Sequence, residues 1–266
     1  MTGDPTAYLE SIGRRGDGPH DIARVALVLA SLDHPGKSLE PYLAHLHEIA
    51  EAMRLEASAI RRVGDGARAL ADLLAGRFSY AGDRLTYDDP RNADLIEVIE
   101  RRRGLPVALG ILYIHAARAG GMGASGLNTE GHFLIRITHR QDDVTLDPFN
   151  GGTVLGGSNL PTALRDAGIA EPVGDIDVLL RLANNQKIRA LEGGAPERAL
   201  DVARRMALIA PRRADIWFEL GRLNEAIGVL GAARKAYEAC LALAPAGEAL
   251  HNEAVLAHGN LKRRLN

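Results

Sequence analysis

The chain of 266 residues has a single cysteine, Cys240. No intrachain disulfide can form, and one sulfur cannot build a thiolate metal cluster. Aromatic residues make up only 4%, while Ala, Leu and Arg are abundant, a composition that favours helix. No apolar run approaches the ~20 residues of a membrane span. The polar opening MTGDPTAYLESIGRRGDGPH has no secretory h-region. Neither sign of charge dominates: 32 Lys and Arg against 34 Asp and Glu leave a formal net charge of -2. That balance gives no electrostatic reason to expect nucleic acid or an anionic membrane as partner. A cytoplasmic protein is expected, long enough for one or two domains with a real core.

Residues 1–19 read as a flexible N-terminus. From about residue 20 to 75, helical apolar spacing alternates with turn signals. In DIARVALVLASL, Asp21 is placed to cap a helix. LEPYLAHLHEIAEAM and GARALADLLAGRFSYAG follow as further short helices. His45 and His47 lie two apart, so on a helix they point to different faces and make a poor metal pair. Both read as surface histidines.

The densest motifs lie between residues 84 and 160. YDDPRNADLIEVIERRRGLPVALGILYIHAARAGGMG predicts two helices. The first starts near Pro90–Asn92, with Asp89 and Asn92 as capping candidates. It ends at Gly104, with Arg101, Arg102 and Arg103 in its last turn, where cations suit the helix dipole. The second opens near Leu105–Pro106 and stops at Gly120–Gly121. It is apolar nearly all round, which implies burial. HFLIRI and VTLDPF then read as strands, with THRQDD as their polar hairpin connection and a turn at Gly151–Gly152 where positive φ is needed. A buried helix packed on a small antiparallel sheet that carries His132 and then Asp147 is a papain-like α+β arrangement. There the helix N-terminus holds a cysteine, and the strands hold a base and its orienting carboxylate.

Those segments, followed in order by GHFLIR and LDPFNGG, resemble the bacterial transglutaminase-like family of the SirB type, whose members carry a tetratricopeptide-repeat (TPR) tail. The match runs from about residue 20 to the end. Glu130 departs from the pattern, standing where a Pro commonly precedes Gly-His. The resemblance implies that the nucleophile would open the buried helix, in residues 104–112, with Ala108 the favoured equivalent. That stretch, GLPVALGIL, has no Cys, Ser or Thr, and a methyl group cannot attack a carbonyl. Cys240 lies in the repeat region and reads as structural.

His132 and Asp147 therefore stand as a remnant pair. They either tie two strands together or line a cleft for a peptide or small acyl compound. A general base acting on water would still lack an oxyanion partner. Arg103 either reaches toward that cleft, pairs with Asp88 or is a solvated last-turn cation. Asn150 is a turn residue or a cleft hydrogen-bonder. His115, His132 and His139 lack the short regular spacing of metal ligands. Neither metal nor cofactor is expected.

The remaining segment, residues 173–266 against 20–172 for the transglutaminase-like part, reads as helical repeats. RALDVARRMALIAP ends at Pro211 and AARKAYEACLALAP at Pro245, 34 residues on, the TPR period. Trp217, Leu220 and Gly221 fall at the W-x2-L-G spacing, with Ala233 at the small-residue position. GEALHNEAVLAHGNLKRRL predicts a further helix capping the stack. Such arrays present a surface to a peptide or helix, or brace a neighbouring domain. The sequence thus predicts a non-catalytic protein- or peptide-binding scaffold. The alternative is a cysteine-independent hydrolase or transferase on peptide or isopeptide bonds through His132 and Asp147. No signal of an oligomeric state is present.

Overall fold

Residues 106–119 contain no acidic side chain, and only His115 and Arg118 are polar at their far end besides Tyr113. A helix with no polar face has to be covered on all sides. The computed structural model, which describes residues 4–129, 132–156 and 171–265, places it so. Every residue from Pro106 to Ile114 is buried.

The described helices are α1 (Pro5–Arg15), α2 (Ile22–Ser31), α3 (Glu40–Glu56), α4 (Val63–Ala71), α5 (Leu95–Arg101), α6 (Pro106–Ala119), α7 (Asp175–Glu192), α8 (Pro196–Ile209), α9 (Ala214–Ala226), α10 (Leu230–Leu243) and α11 (Ala249–Leu265). The strands are β1 (Ala81–Gly82), β2 (Arg103–Gly104), β3 (Gly123–Thr129), β4 (His132–His139), β5 (Asp142–Asp147), β6 (Thr153–Leu155) and β7 (Pro172–Val173). They fall into two compact units, residues 1–5 with 17–182, and residues 6–16 with 183–266.

In the first unit β3 to β7 form an antiparallel sheet in the order β6-β5-β4-β3-β7. Strand alternation sends Phe133, Ile135 and Ile137, all essentially unexposed, to one face. Gly110 lets that face meet α6 closely: a Cβ there would sit 2.5 Å from the Phe133 ring. Burying each of these large side chains contributes roughly 1.5–3 kcal/mol. Leu127, Leu134 and Leu155 form a small separate cluster. The β4–β5 connection is tighter than THRQDD suggests. The strands run on to His139 and Asp142, leaving a two-residue turn in which Arg140 takes φ 58°.

Asp21 caps α2 as expected, accepting from the Arg24 amide at 3.2 Å. At α5 the expectation is corrected. Asp89 caps only a short 3-10 turn, Pro90–Ala93, and Asp94 caps the helix itself through the Ile96 and Glu97 amides. The fully buried Asn92 caps nothing; its amide donates to the Thr86 carbonyl at 2.6 Å. The helix stops at Arg102, in the left-handed region at φ 56°, before Gly104. Residues 103–104 then leave the helix and pair in parallel with Ala81–Gly82. The start of α7 belongs to this unit. Asp175 takes a forked pair of bonds from Arg118 at 2.7 and 2.8 Å and one from the His20 amide at 2.7 Å.

In the second unit α8 and α10 begin 34 residues apart, at Pro196 and Leu230. Gly221 is required where α9 meets α10, since a Cβ would lie 2.3 Å from the Tyr237 ring. Ala233 and Tyr237 pack with Leu261 of α11. Trp217 is only half-buried; its indole N–H donates to the Pro211 carbonyl at 2.8 Å, while its rings lie against Cys240, Ala244 and Ala254. Within the N-terminal segment, Pro5–Arg15 form the helix α1. Leu9 and Ile12 of α1 are buried, and Gly13 seats against the Leu208 carbonyl and the Pro211 ring. Polar flanks hid that three-residue apolar spacing.

Ala233 has no exposed surface and packs in one cluster with Tyr237 and Leu261. Replacing it by Leu should overpack the helix contact and cost about 1–3 kcal/mol. Chemical denaturation of the full chain measures this; an unchanged midpoint would disprove the repeat register.

Candidate functional site

The seating of Gly110 on Phe133 and Ile135 puts the start of α6 and the start of β4 at one end of the sheet. The turn after Asp147, residues 148–150, also packs on α6. The elements that would carry a nucleophile, a base and a carboxylate thus converge, on adjacent antiparallel strands and the buried helix.

Their side chains do not form a relay. Ala108 is completely buried, and Leu105 and Val107 beside it are 1% and 2% exposed. The helix start is closed by neighbours: the Leu105 amide donates to the Asn92 carbonyl at 2.9 Å. Asp147 is buried, and its carboxylate is consumed locally. It accepts from the Phe149 amide at 3.0 Å, the Asn150 amide at 3.2 Å and the Asn150 side chain. His132 is exposed. Its carbonyl is held by the Thr129 hydroxyl at 2.7 Å and by Arg181 at 2.9 Å, and among the described residues no hydrogen bond joins its ring to Asp147. Glu130 and Gly131 lie outside the described residues.

Asn150 serves the turn, bonding both Asp147 and Arg84. Gly151 and Gly152 have the expected positive φ, 67° and 77°. Gly152 is further constrained, because a Cβ would fall 2.8 Å from the Tyr113 ring. The Tyr113 hydroxyl is buried without a hydrogen-bond partner among the described residues. Burial, and then the nearby Asp147 charge, push its phenol well above the ordinary tyrosine range. Arg103 is exposed on β2 and makes no ion pair with Asp88 among the described residues.

A polar loop that the sequence did not announce covers the same end. Asp83 accepts from the Leu85 and Thr86 amides, the Thr86 hydroxyl and Arg101. The Thr86 bonds hold its carboxyl down at about 2. Arg101 also reaches Asn92 at 3.1 Å. The loop lays Arg84 over the Phe149 ring at 5.5 Å and Tyr87 edge-on to it at 5.9 Å, and leaves Leu85 96% exposed.

A second polar cluster corrects the reading of His45. His47 is exposed, but the His45 side chain is only 10% exposed. Its Nε2 meets the Tyr80 hydroxyl at 2.9 Å and Arg102 at 2.5 Å. Arg102 also bonds the Tyr80 hydroxyl and lies over that ring at 4.8 Å. Nε2 must therefore accept, so the imidazole is neutral with its proton on Nδ1, facing Glu48 at 3.5 Å. Glu48 is in turn bound by Arg77 at 3.4 Å. Burial, then Arg102, hold the imidazole below its ordinary 6.5, against a smaller opposing pull from Glu48. Burial lifts Tyr80 to about 12. Alternation of polar and apolar residues in α3 could have flagged His45 only if its neighbours in space had been known.

With this geometry in place, comparison with known proteins adds a family. The sequence model of the transglutaminase-like superfamily matches residues 40–189, and a tetratricopeptide-repeat model matches residues 186–256. The chain belongs to the transglutaminase-like superfamily. It is similar to a UPF0162 protein of Xylella fastidiosa (strain 9a5c), 27% identical over 236 residues that span 84% of each chain. It is also similar to human F-box only protein 21, 31% identical over 78 residues, which cover 29% of this chain and 12% of that protein. A crystal structure of menin, described as revealing its binding site for the Mixed Lineage Leukemia protein, overlays with a TM-score of 0.49 at 13% identity. That overlay covers 88% of this chain and 69% of menin. No helix among the described residues is long and apolar enough to cross a membrane.

Because its folded pKa is depressed, His45 contributes stability that is present above 6.5 and is lost as pH falls through the lowered value. The wild type should therefore lose more stability between about pH 7 and about pH 5 than His45→Gln, which keeps an acceptor for Arg102 but does not titrate. Parallel urea titrations of the two proteins check this; identical pH slopes would contradict the neutral-imidazole assignment.

Proposed function

We propose that this protein is a non-catalytic member of its superfamily, of the SirB type, working in the bacterial cytoplasm as a binding scaffold for a protein or peptide partner. The observation that carries the reading is the sealed start of α6. Ala108, the position that the family resemblance favours for a nucleophile, carries a fully buried methyl group. Thiolate or alkoxide chemistry has no atom to use there. The carboxylate that would orient a base is already spent on the turn at residues 148–150. A tetratricopeptide-repeat region supports the other half of the proposal, because stacked helix pairs offer extended surfaces to partner segments.

Two measurements test it. The wild type, His132→Ala and Asp147→Ala should show equal, background-level turnover of a panel of peptide and isopeptide amides. Turnover by the wild type that disappears in either variant would establish the hydrolase or transferase alternative. Ala108→Cys in a Cys240→Ser background should be alkylated by iodoacetamide far more slowly than an exposed thiol, because α6 gives reagent no access short of opening the core. Rapid alkylation of the folded variant would reveal an open cleft at the helix start and defeat the sealed-site argument.

A further inference from the structure

The second unit carries an open groove of ≈ 560 Å³ between α9 and α11, with α10 as its floor. Its walls follow helical spacing. Phe218 and Arg222 lie one turn apart on α9, and Glu253, Leu256 and Ala257 lie within about one turn on α11. Tyr237 of α10 lines the floor, its ring tilted against Phe218 at 5.8 Å. The groove thus has an aromatic base and an aliphatic wall. Leu256 is left 68% exposed on it.

The charges on the groove are unevenly committed. Glu225 accepts from the Tyr237 hydroxyl at 3.0 Å and pairs with Arg264. Arg222 and Glu253 are exposed and make no ion pair among the described residues. Arg222 therefore offers an unneutralised guanidinium beside the aromatic base, while Glu225, the α9 carboxylate on the groove, is already engaged. Glu253 offers an uncommitted carboxylate on the facing helix.

We propose that this groove docks a peptide segment of a second protein that combines an apolar side chain with a neighbouring carboxylate. The apolar side chain covers Phe218, Leu256 and Ala257. The carboxylate meets Arg222, and a basic residue further along the segment meets Glu253. The volume suits a few side chains, within the range of preformed ligand sites, and an Arg beside aromatic rings is the composition of interface hot spots. The proposal rests on the scaffold reading above and gives it a location and a partner chemistry.

The probe is a phage-displayed library of random peptides about 12 residues long, a length that spans a groove of this size, panned on the full chain. Enriched peptides should pair a Leu or aromatic residue with a nearby Asp or Glu. Synthetic copies, followed by fluorescence anisotropy, should lose about ten-fold or more in affinity on Arg222→Glu and on Leu256→Asp. A peptide with its acid changed to Lys should recover on Arg222→Glu. Arg222→Gln, which keeps the exposed stem and the fold, should show an intermediate loss, and unchanged melts of all variants separate binding from folding. Absence of enrichment, or affinities indifferent to both positions, would overturn the proposal. So would light scattering that finds a dimer broken by Leu256→Asp, since the occupant would then be a second copy. Peptides that bind elsewhere would remove this groove and leave the scaffold reading standing, whereas amide turnover would remove the scaffold reading itself.

Discussion

Everything in the first unit follows from the need to cover α6 on every side. A helix without a polar face cannot border a water-filled cleft, so the sheet, the helices α2 to α5 and the turn at residues 148–150 close around it. The closure reaches its first turn, where Pro106 to Leu109 are all buried. Most polar groups drawn into this wrapping are satisfied locally, the Tyr113 hydroxyl excepted. Asp147 is turned onto the backbone of residues 149–150, and Asn92 onto the carbonyl of Thr86. The same constraint that stabilises the core therefore leaves Ala108 buried and the Asp147 carboxylate committed to its own turn.

How much of this was legible in the sequence varied with the physical signal. The run VALGILYI, bounded by Pro106 and Gly120–Gly121, announced a buried helix because no amphipathic alternative exists for it. The two strands and the positive-φ glycines were legible for the same reason, as local pattern. Asp94 was missed because Asp89, five residues earlier, is an equally good capping type, and only the backbone path decides between them. The β1–β2 pair is two residues long, below any periodicity. The burial of His45 depends on Tyr80 and Arg102, 35 and 57 residues away. No local window contains that information. The buried helix and the two strands named from the sequence are present as α6, β4 and β5; the direction of the Asp147 side chain was not legible, since it depends on which backbone amides lie within its reach.

The two units handle polarity differently. Around α6, buried charges are few and each is tied by several bonds, as with Asp83 and Asp175. In the repeat region the contacts that fix geometry are small residues against rings, Gly221 under Tyr237 and Ala233 beside it. Charges there lie mostly on the outside, the buried Lys187, paired with Glu219, excepted. Some are paired, as Glu225 with Arg264, and others stand open. A core built on close backbone approach specifies the helix pairs without drawing on their outer faces, which leaves those faces available for recognition.

The clasp of Asp175 on Arg118 and the His20 amide has a consequence for biosynthesis. The acceptor lies 57 residues beyond the arginine and 155 beyond the amide. Val178, one turn into the same helix, also packs within 2.8 Å of the position a side chain would take on Gly126 of β3. As the chain leaves the ribosome, α2, α6 and the first sheet strands emerge before either contact can form. During that interval a guanidinium near the core lacks its counter-ion and one sheet surface lacks its cover. The nascent domain is thus completed late, by residues that only just precede the repeats, and a ribosome paused short of Asp175 would hold an unfinished fold open to chaperones.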